Sequence, residues 1–220
     1  MKHLLLLSLL AVAGCRSAES NPDLEQEPDL AVEPPLEFVD PWAIEFEPPT
    51  TLDTERMHLE PLGPDHAELD FEAFMSSREH LLATLHWGSW PGPDSTVEGN
   101  RSDLARHTQE FIDREGYAFT VLTPDRSRCV GCVYLNPVPT GPNGYGVAMA
   151  YWVIASELDT GLDRDLVASM LSWIAADWPF GSLVMPIHIE NERGAEIARG
   201  LGLSESPEVE DDHRIFVWTR

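Results

Sequence analysis

IHIENERGAEIARGLGL, residues 187–203, changes character at its centre: a strand ends at Ile189, a helix runs from Asn191 to Gly200, and Leu201-Gly202-Leu203 leads out of it. Toward the N-terminus, the strand begins at residue 183 and follows a helix in which Leu162, Leu166, Val167, Met170, Leu171 and Ile174 form a wide apolar stripe. Thr160-x-x-Asp163 is the capping-box pattern that opens that helix. Residues 147–154 have no polar break, as a strand covered on both faces requires. Residues 117–122 and 129–135 are two β-rich runs joined by Pro124-Asp125-Arg126-Ser127, a hairpin.

Farther out, residues 57–62 read as a short first strand, and Pro64-Asp65 opens a helix with Ala67, Phe71, Phe74 and Met75 at helical spacing. Ser95-x-x-Glu98 caps a second helix whose inner face is Leu104, Phe111 and Ile112 and which ends by Gly116. Between the two, residues 78–93 are rich in His, Trp and Gly and read as a loop. A last strand falls at residues 215–218, with a further short one near 205–209. The order β-α-α-β-β-β-α-β-α-β predicts one α/β (α+β) domain over residues 51–220, without internal repeats.

The 220 residues are 43% hydrophobic, enough for one good core, and carry a formal net charge of −24 from 14 Lys+Arg against 38 Asp+Glu. An excess of acid with no basic stripe excludes a nucleic-acid partner. Three cysteines exclude a disulfide-built scaffold. Lys2 and His3 precede an apolar run, residues 4–14, that is too short to cross a bilayer and has the length of a signal peptide's core. It ends in Val12-Ala13-Gly14-Cys15, which resembles the lipobox of bacterial lipoproteins. That resemblance implies a lipidated Cys15, contact with a membrane through the anchor alone, and a place in the cell envelope on its periplasmic or extracellular face; a start codon set too far upstream would leave the protein cytoplasmic. Residues 16–50 hold ten acids, one base and seven prolines, the composition of an extended acidic tether, with Phe38, Trp42, Ile44 and Phe46 able to dock on the domain.

With this element order, the segment Asn191, Gly194-Ala195 and Leu201-Gly202-Leu203 resembles the GNAT superfamily of acyl-CoA-dependent N-acetyltransferases, and the resemblance covers nearly all of residues 51–220. The family's fold implies a mixed, mostly antiparallel central sheet with splayed fourth and fifth strands, flanked by about four helices. Splaying would accommodate Pro186 inside a strand, and Gly131 inside another suggests a bulge. The resemblance implies acetyl-CoA as donor, an amine of a small molecule or protein as acceptor, carbonyl-polarising amides near Val153 and Ala155, and a pyrophosphate held by Thr160, Gly161 and Leu162 with Asn191 assisting. At the phosphate turn the family's basic or amide position is Leu158 here, its last glycine is Asp163, and Glu157, Asp159, Asp163 and Asp165 face Arg164 alone. The position of the family's proton-donating Tyr is Ala198.

For the general base, His188 and Glu190 at a strand end are the candidates, and His86, Trp87, Trp90 and Tyr151 are assigned to the substrate pocket. The region of His80, His86, Trp87 and Trp90 reads either as a recognition lip or as an apolar lid over the core. Cys129-x-x-Cys132 reads as a pair of buried free thiols, because residues three apart on a strand stand about 10 Å apart unless a bulge folds them together, and no second ligand pair sits at zinc spacing. No metal site is therefore expected, and Asp211-Asp212-His213 reads as a charged turn. Two functions fit this pattern: an N-acyltransferase, or a non-catalytic binding or accessory lipoprotein on the same fold.

Overall fold

The computed structural model describes residues 45–138 and 146–220; the leader, Cys15 and residues 16–44 of the tether lie outside the described residues, as does the loop 139–145. Eight strands form: β1 (Leu52–Asp53), β2 (His58–Pro61), β3 (Tyr117–Leu122), β4 (Cys129–Val138), β5 (Gly146–Val153), β6 (Ser182–His188), β7 (Ser204–Glu210) and β8 (His213–Thr219). They make one sheet in the order β1-β2-β3-β4-β5-β6-β8-β7, in which β5 and β6 are the one parallel pair. Around it stand α1 (Ala67–Ser76), α2 (Arg78–Leu85), α3 (Val97–Ile112), α4 (Leu162–Asp177) and α5 (Glu192–Gly200). The mixed, mostly antiparallel sheet is the architecture expected from the sequence.

The fifth helix is the departure. Residues 78–85 fold as α2 instead of a loop, although the helix buries only Leu81 fully, with Leu85 packed against the core. Contact with the rest of the domain, rather than an apolar stripe of its own, holds it helical. Two helix starts also differ from the expected capping boxes. Thr96, not Ser95, caps α3, its Oγ1 accepting the Gly99 N–H at 3.0 Å. Gly161, in the left-handed region at φ 75°, leads into α4. Thr160 cannot cap it, since its hydroxyl donates to Glu157 O at 2.7 Å and accepts from Arg56 Nη2 at 2.8 Å. Asn191 does cap α5, its Oδ1 accepting the Gly194 N–H at 2.9 Å.

The sheet packs on both faces. Phe119 of β3 meets Trp173 of α4 at 5.2 Å between ring centroids. Strand alternation turns Trp152 and Tyr134 to the opposite face, where Trp90 and Trp87 cover them. Phe46, from the tether's end, lies 5.8 Å from Trp178, and Arg114 donates to its carbonyl, so this part of the tether docks as its apolar residues imply. Asp211 and Asp212, both at positive φ, form the charged turn between β7 and β8.

Two irregularities shape the middle of the sheet. β5 and β6 pair only from Gly146 to Ala148 against Ser182 to Val184; beyond that β5 stays with β4 and β6 with β8, and the two diverge. Pro186 lies past the last β5 partner, where no ladder donor to β5 is required. In β4 the register passes from Cys129, opposite Leu122, to Gly131, opposite Val121, so Val130 is the extra residue of a bulge. A Cβ on Gly131 would stand 2.2 Å from Trp152 O, which makes glycine obligatory at that crossing.

Candidate functional site

Divergence of β5 from β6 opens a cleft in the middle of the sheet. Its walls are Met149 to Val153 of β5, Met185 to His188 of β6, His80, Leu81 and Thr84 of α2, and Asn191 and Arg193 at the start of α5, with Trp87 and His213 at the rim. Of the residues expected from the sequence, Trp87, Tyr151, Val153, His188 and Asn191 line this cleft. Trp90 instead packs on Phe74 at 5.3 Å and on Trp152 at 6.0 Å, so it belongs to the lid over the core. His86 and Glu190 stand behind His188: the His86 ring stacks on it at 3.5 Å, and His86 Nε2 meets Glu190 Oε2 at 2.9 Å.

Three imidazoles thus crowd the mouth, His213 lying edge-on to His188 at 5.3 Å. Burial, followed by the charges of His86 and His213, lowers the His188 pKa below the usual imidazole value. The ring is neutral at neutral pH and can accept a proton. Burial also lowers His80 deeper in the cleft. At the cleft floor, burial reinforced by the charge of Asp163 raises the Tyr151 phenol well above its ordinary range, so it remains protonated.

The amides at the turn before α4 differ from the expected arrangement. Ala155 N–H is taken by Ser77 Oγ at 2.9 Å and does not face a substrate. Ile154 N–H donates to Val130 O at 3.0 Å, and since successive strand amides point to opposite edges, the Val153 N–H is directed at the cleft. Thr160 and Gly161 N–H donate to Glu157 O and Leu158 O at 3.2 and 3.0 Å, closing the turn on itself. Among the described residues no acceptor meets the amides of Leu162 and Asp163, which open the 16-residue α4.

Arg164 is not the only cation there. Arg56 bonds Thr160 O at 3.1 Å and pairs with Asp165. Arg128 lies 3.9 Å from Glu157. Arg193 reaches from α5 to Asp163 Oδ1 at 2.9 Å and to Leu158 O at 2.6 Å. These three come from distant segments, and the local sequence carried no signal of their arrival. Two open amides at a helix N-terminus, flanked by guanidiniums and by the uncovered edge of β5, are an arrangement that can receive an anion.

The chain belongs to the GNAT acetyltransferase family: the family's acetyltransferase (GNAT) domain matches residues 56–204. Among solved structures, the fold is similar to ribosomal-protein-S5-alanine acetyltransferase from Vibrio fischeri, at 15% identity and TM-score 0.63 over 78% of this chain and 97% of that one. It is similar to Mycobacterium smegmatis RimJ in complex with CoA-disulfide, at 16% identity and TM-score 0.64 over 78% and 88%. A ribosomal L7/L12 alpha-N-protein acetyltransferase in complex with coenzyme A matches at 12% identity and TM-score 0.63 over 77% and 97%. No curated protein matches the chain in sequence.

Proposed function

We propose that the domain transfers an acetyl group from acetyl-CoA to an amine of a small molecule or protein. The observation that carries this is the opening between β5 and β6, a single cleft lined by Leu158 and Asp163 beside the α4 turn and by His188. Acetyl-CoA supplies the activated acyl thioester. The Leu162 and Asp163 amides, with Arg56 and Arg193, hold its pyrophosphate, and Asn191, capping α5, keeps Arg193 in place. Val153 N–H is aimed where a carbonyl oxygen would need a donor. His188 takes the proton of the attacking amine, and His86 and His213 oppose a lasting charge on it, so the proton moves on. Ala198 leaves no tyrosine on α5; Tyr151, kept protonated on the cleft floor, is the hydroxyl that remains.

One observation favours a second reading, a non-catalytic domain. The Asp163 carboxylate accepts the Arg164 N–H at 3.0 Å and so competes with phosphate at the first turn of α4. The purified protein, incubated with acetyl-CoA and a panel of amines and N-terminal peptides, decides between them: acetylated product supports transfer, and binding or product absent at millimolar donor supports the second. We further propose that Cys15 is lipidated and holds the protein in the cell envelope by the acidic tether. Mass spectrometry of the mature N-terminus tests this, and an unlipidated chain that begins at Met1 or Lys2 would refute it.

A further inference from the structure

Away from the cleft, Asp70 of α1 is buried at 4% exposure, and no cationic side chain pairs with it among the described residues. Its Oδ2 accepts from Asn100 Nδ2 at 2.9 Å, and that amide is itself anchored on Ala67 O at 3.1 Å. Oδ1 is thereby turned toward two sulfurs, Cys132 Sγ at 3.2 Å and Cys129 Sγ at 4.0 Å. The donor atoms of all three residues lie within 4.8 Å of one another.

The β4 bulge makes this possible. Residues three apart on a regular strand face opposite ways, but with Val130 extra, Cys129 and Cys132 stand opposite Leu122 and Thr120, two apart on β3, and share a face. Thr120 Oγ1 lies 3.6 Å from Cys129 Sγ and is fully buried.

Neither thiol is a strong hydrogen-bond donor to the carboxylate it faces. Reactive cysteines sit in exposed, electropositive places, and both of these are buried free thiols beside a carboxylate. Two sulfurs and one oxygen, with an amide orienting the oxygen, are instead a zinc donor set. With Zn–S of about 2.3 Å and Zn–O of about 2.0 Å in a tetrahedron, S···O separations are about 3.5 Å. The observed 3.2 and 4.0 Å bracket that value.

We propose that Asp70, Cys129 and Cys132 bind a zinc ion, fastening α1 to the bulged strand β4. Binding converts both thiols to thiolates and releases their two protons to solvent, while the carboxylate binds as the anion. Since the site is closed in the folded chain, the metal enters as the chain folds. The site lies behind the cleft wall, because Cys132 is the cross-strand neighbour of Trp152, but it does not depend on acetyl transfer. The other convergent group, His86, His188 and Glu190, is less suited: the two rings are stacked at 18° and 3.5 Å, and in-plane lone pairs of parallel rings do not meet on one ion.

The test is to unfold the reduced full chain, refold it with one equivalent of cobalt(II), and then exchange the cobalt for zinc. The expected result is one metal per chain by native mass spectrometry, a sulfur-to-cobalt charge-transfer absorption that zinc abolishes, and a higher thermal midpoint than after refolding with chelator. Asp70→Asn and Cys132→Ser should each lower zinc affinity at least about tenfold. A natively refolded chain that takes up no metal, bound cobalt without the sulfur band, or a band that survives in Cys129→Ser/Cys132→Ser would overturn the proposal. If the variants do not fold, the wild-type cobalt spectrum decides by itself.

Discussion

Asp163 and Asp70 are almost equally buried, at 3% and 4% exposure, yet the chain treats them differently. Asp163, in the first turn of α4, meets the helix's own Arg164 amide and the guanidinium of Arg193. Asp70 meets an amide and two thiols, and burial pushes its carboxyl above the ordinary value in spite of the Asn100 hydrogen bond. The first charge is compensated from within and lines the cleft. The second has hydrogen-bonding neighbours but no paired cation among the described residues.

The largest expected effect comes from breaking the compensated pair. Arg193→Ala should lower stability in urea by about 2–3 kcal/mol, less than the 3–5 kcal/mol of a fully enclosed pair because the Arg193 side chain is 47% exposed. Adding Asp163→Asn should recover most of the loss, whereas additive losses would show that the two do not act as a pair.

At the cleft's other end, His188→Ala should reduce kcat about hundredfold with little change in KM. Because burial and the neighbouring imidazoles lower its pKa, the acid limb of the wild-type rate profile should fall below the ordinary histidine value. His86→Asn/His213→Asn should move that limb to higher pH; an unmoved limb assigns the base elsewhere.

Glu60 is an intermediate case. Burial acts to raise its pKa, but hydrogen bonds from His58 and His66 outweigh it and the value is lowered. Its contribution to stability is therefore full above the unfolded carboxyl's pKa and lost as pH falls through the lowered folded value. Thermal midpoints across that acid range should fall less steeply in Glu60→Gln. The smallest effect is expected for Asp70→Asn in zinc-free protein, within about 1 kcal/mol in urea, because an amide side chain carries no charge to desolvate.

The sheet was legible from local pattern: the unbroken run of β5 and the glycine-marked bulge each follow from residue type at a fixed position. α2 was not, since one buried leucine makes no stripe. The cleft's electrostatics were hidden for another reason. Arg56 and Arg193 meet the α4 turn from segments 104 and 30 residues away, and no local window contains both partners. Ser77 closes the Ala155 amide across 78 residues. The two cysteines are buried free thiols, as expected from the sequence, and the bulge that expectation allowed for is what brings them together.

The central claim, that this cleft receives an acyl-CoA thioester, is tested most directly by calorimetric titration of the purified protein with acetyl-CoA, with Arg193→Ala alongside. Saturable heat and a raised thermal midpoint for the wild type, both weakened in the variant, are the predicted result. Neither heat nor stabilisation at millimolar acetyl-CoA would contradict it.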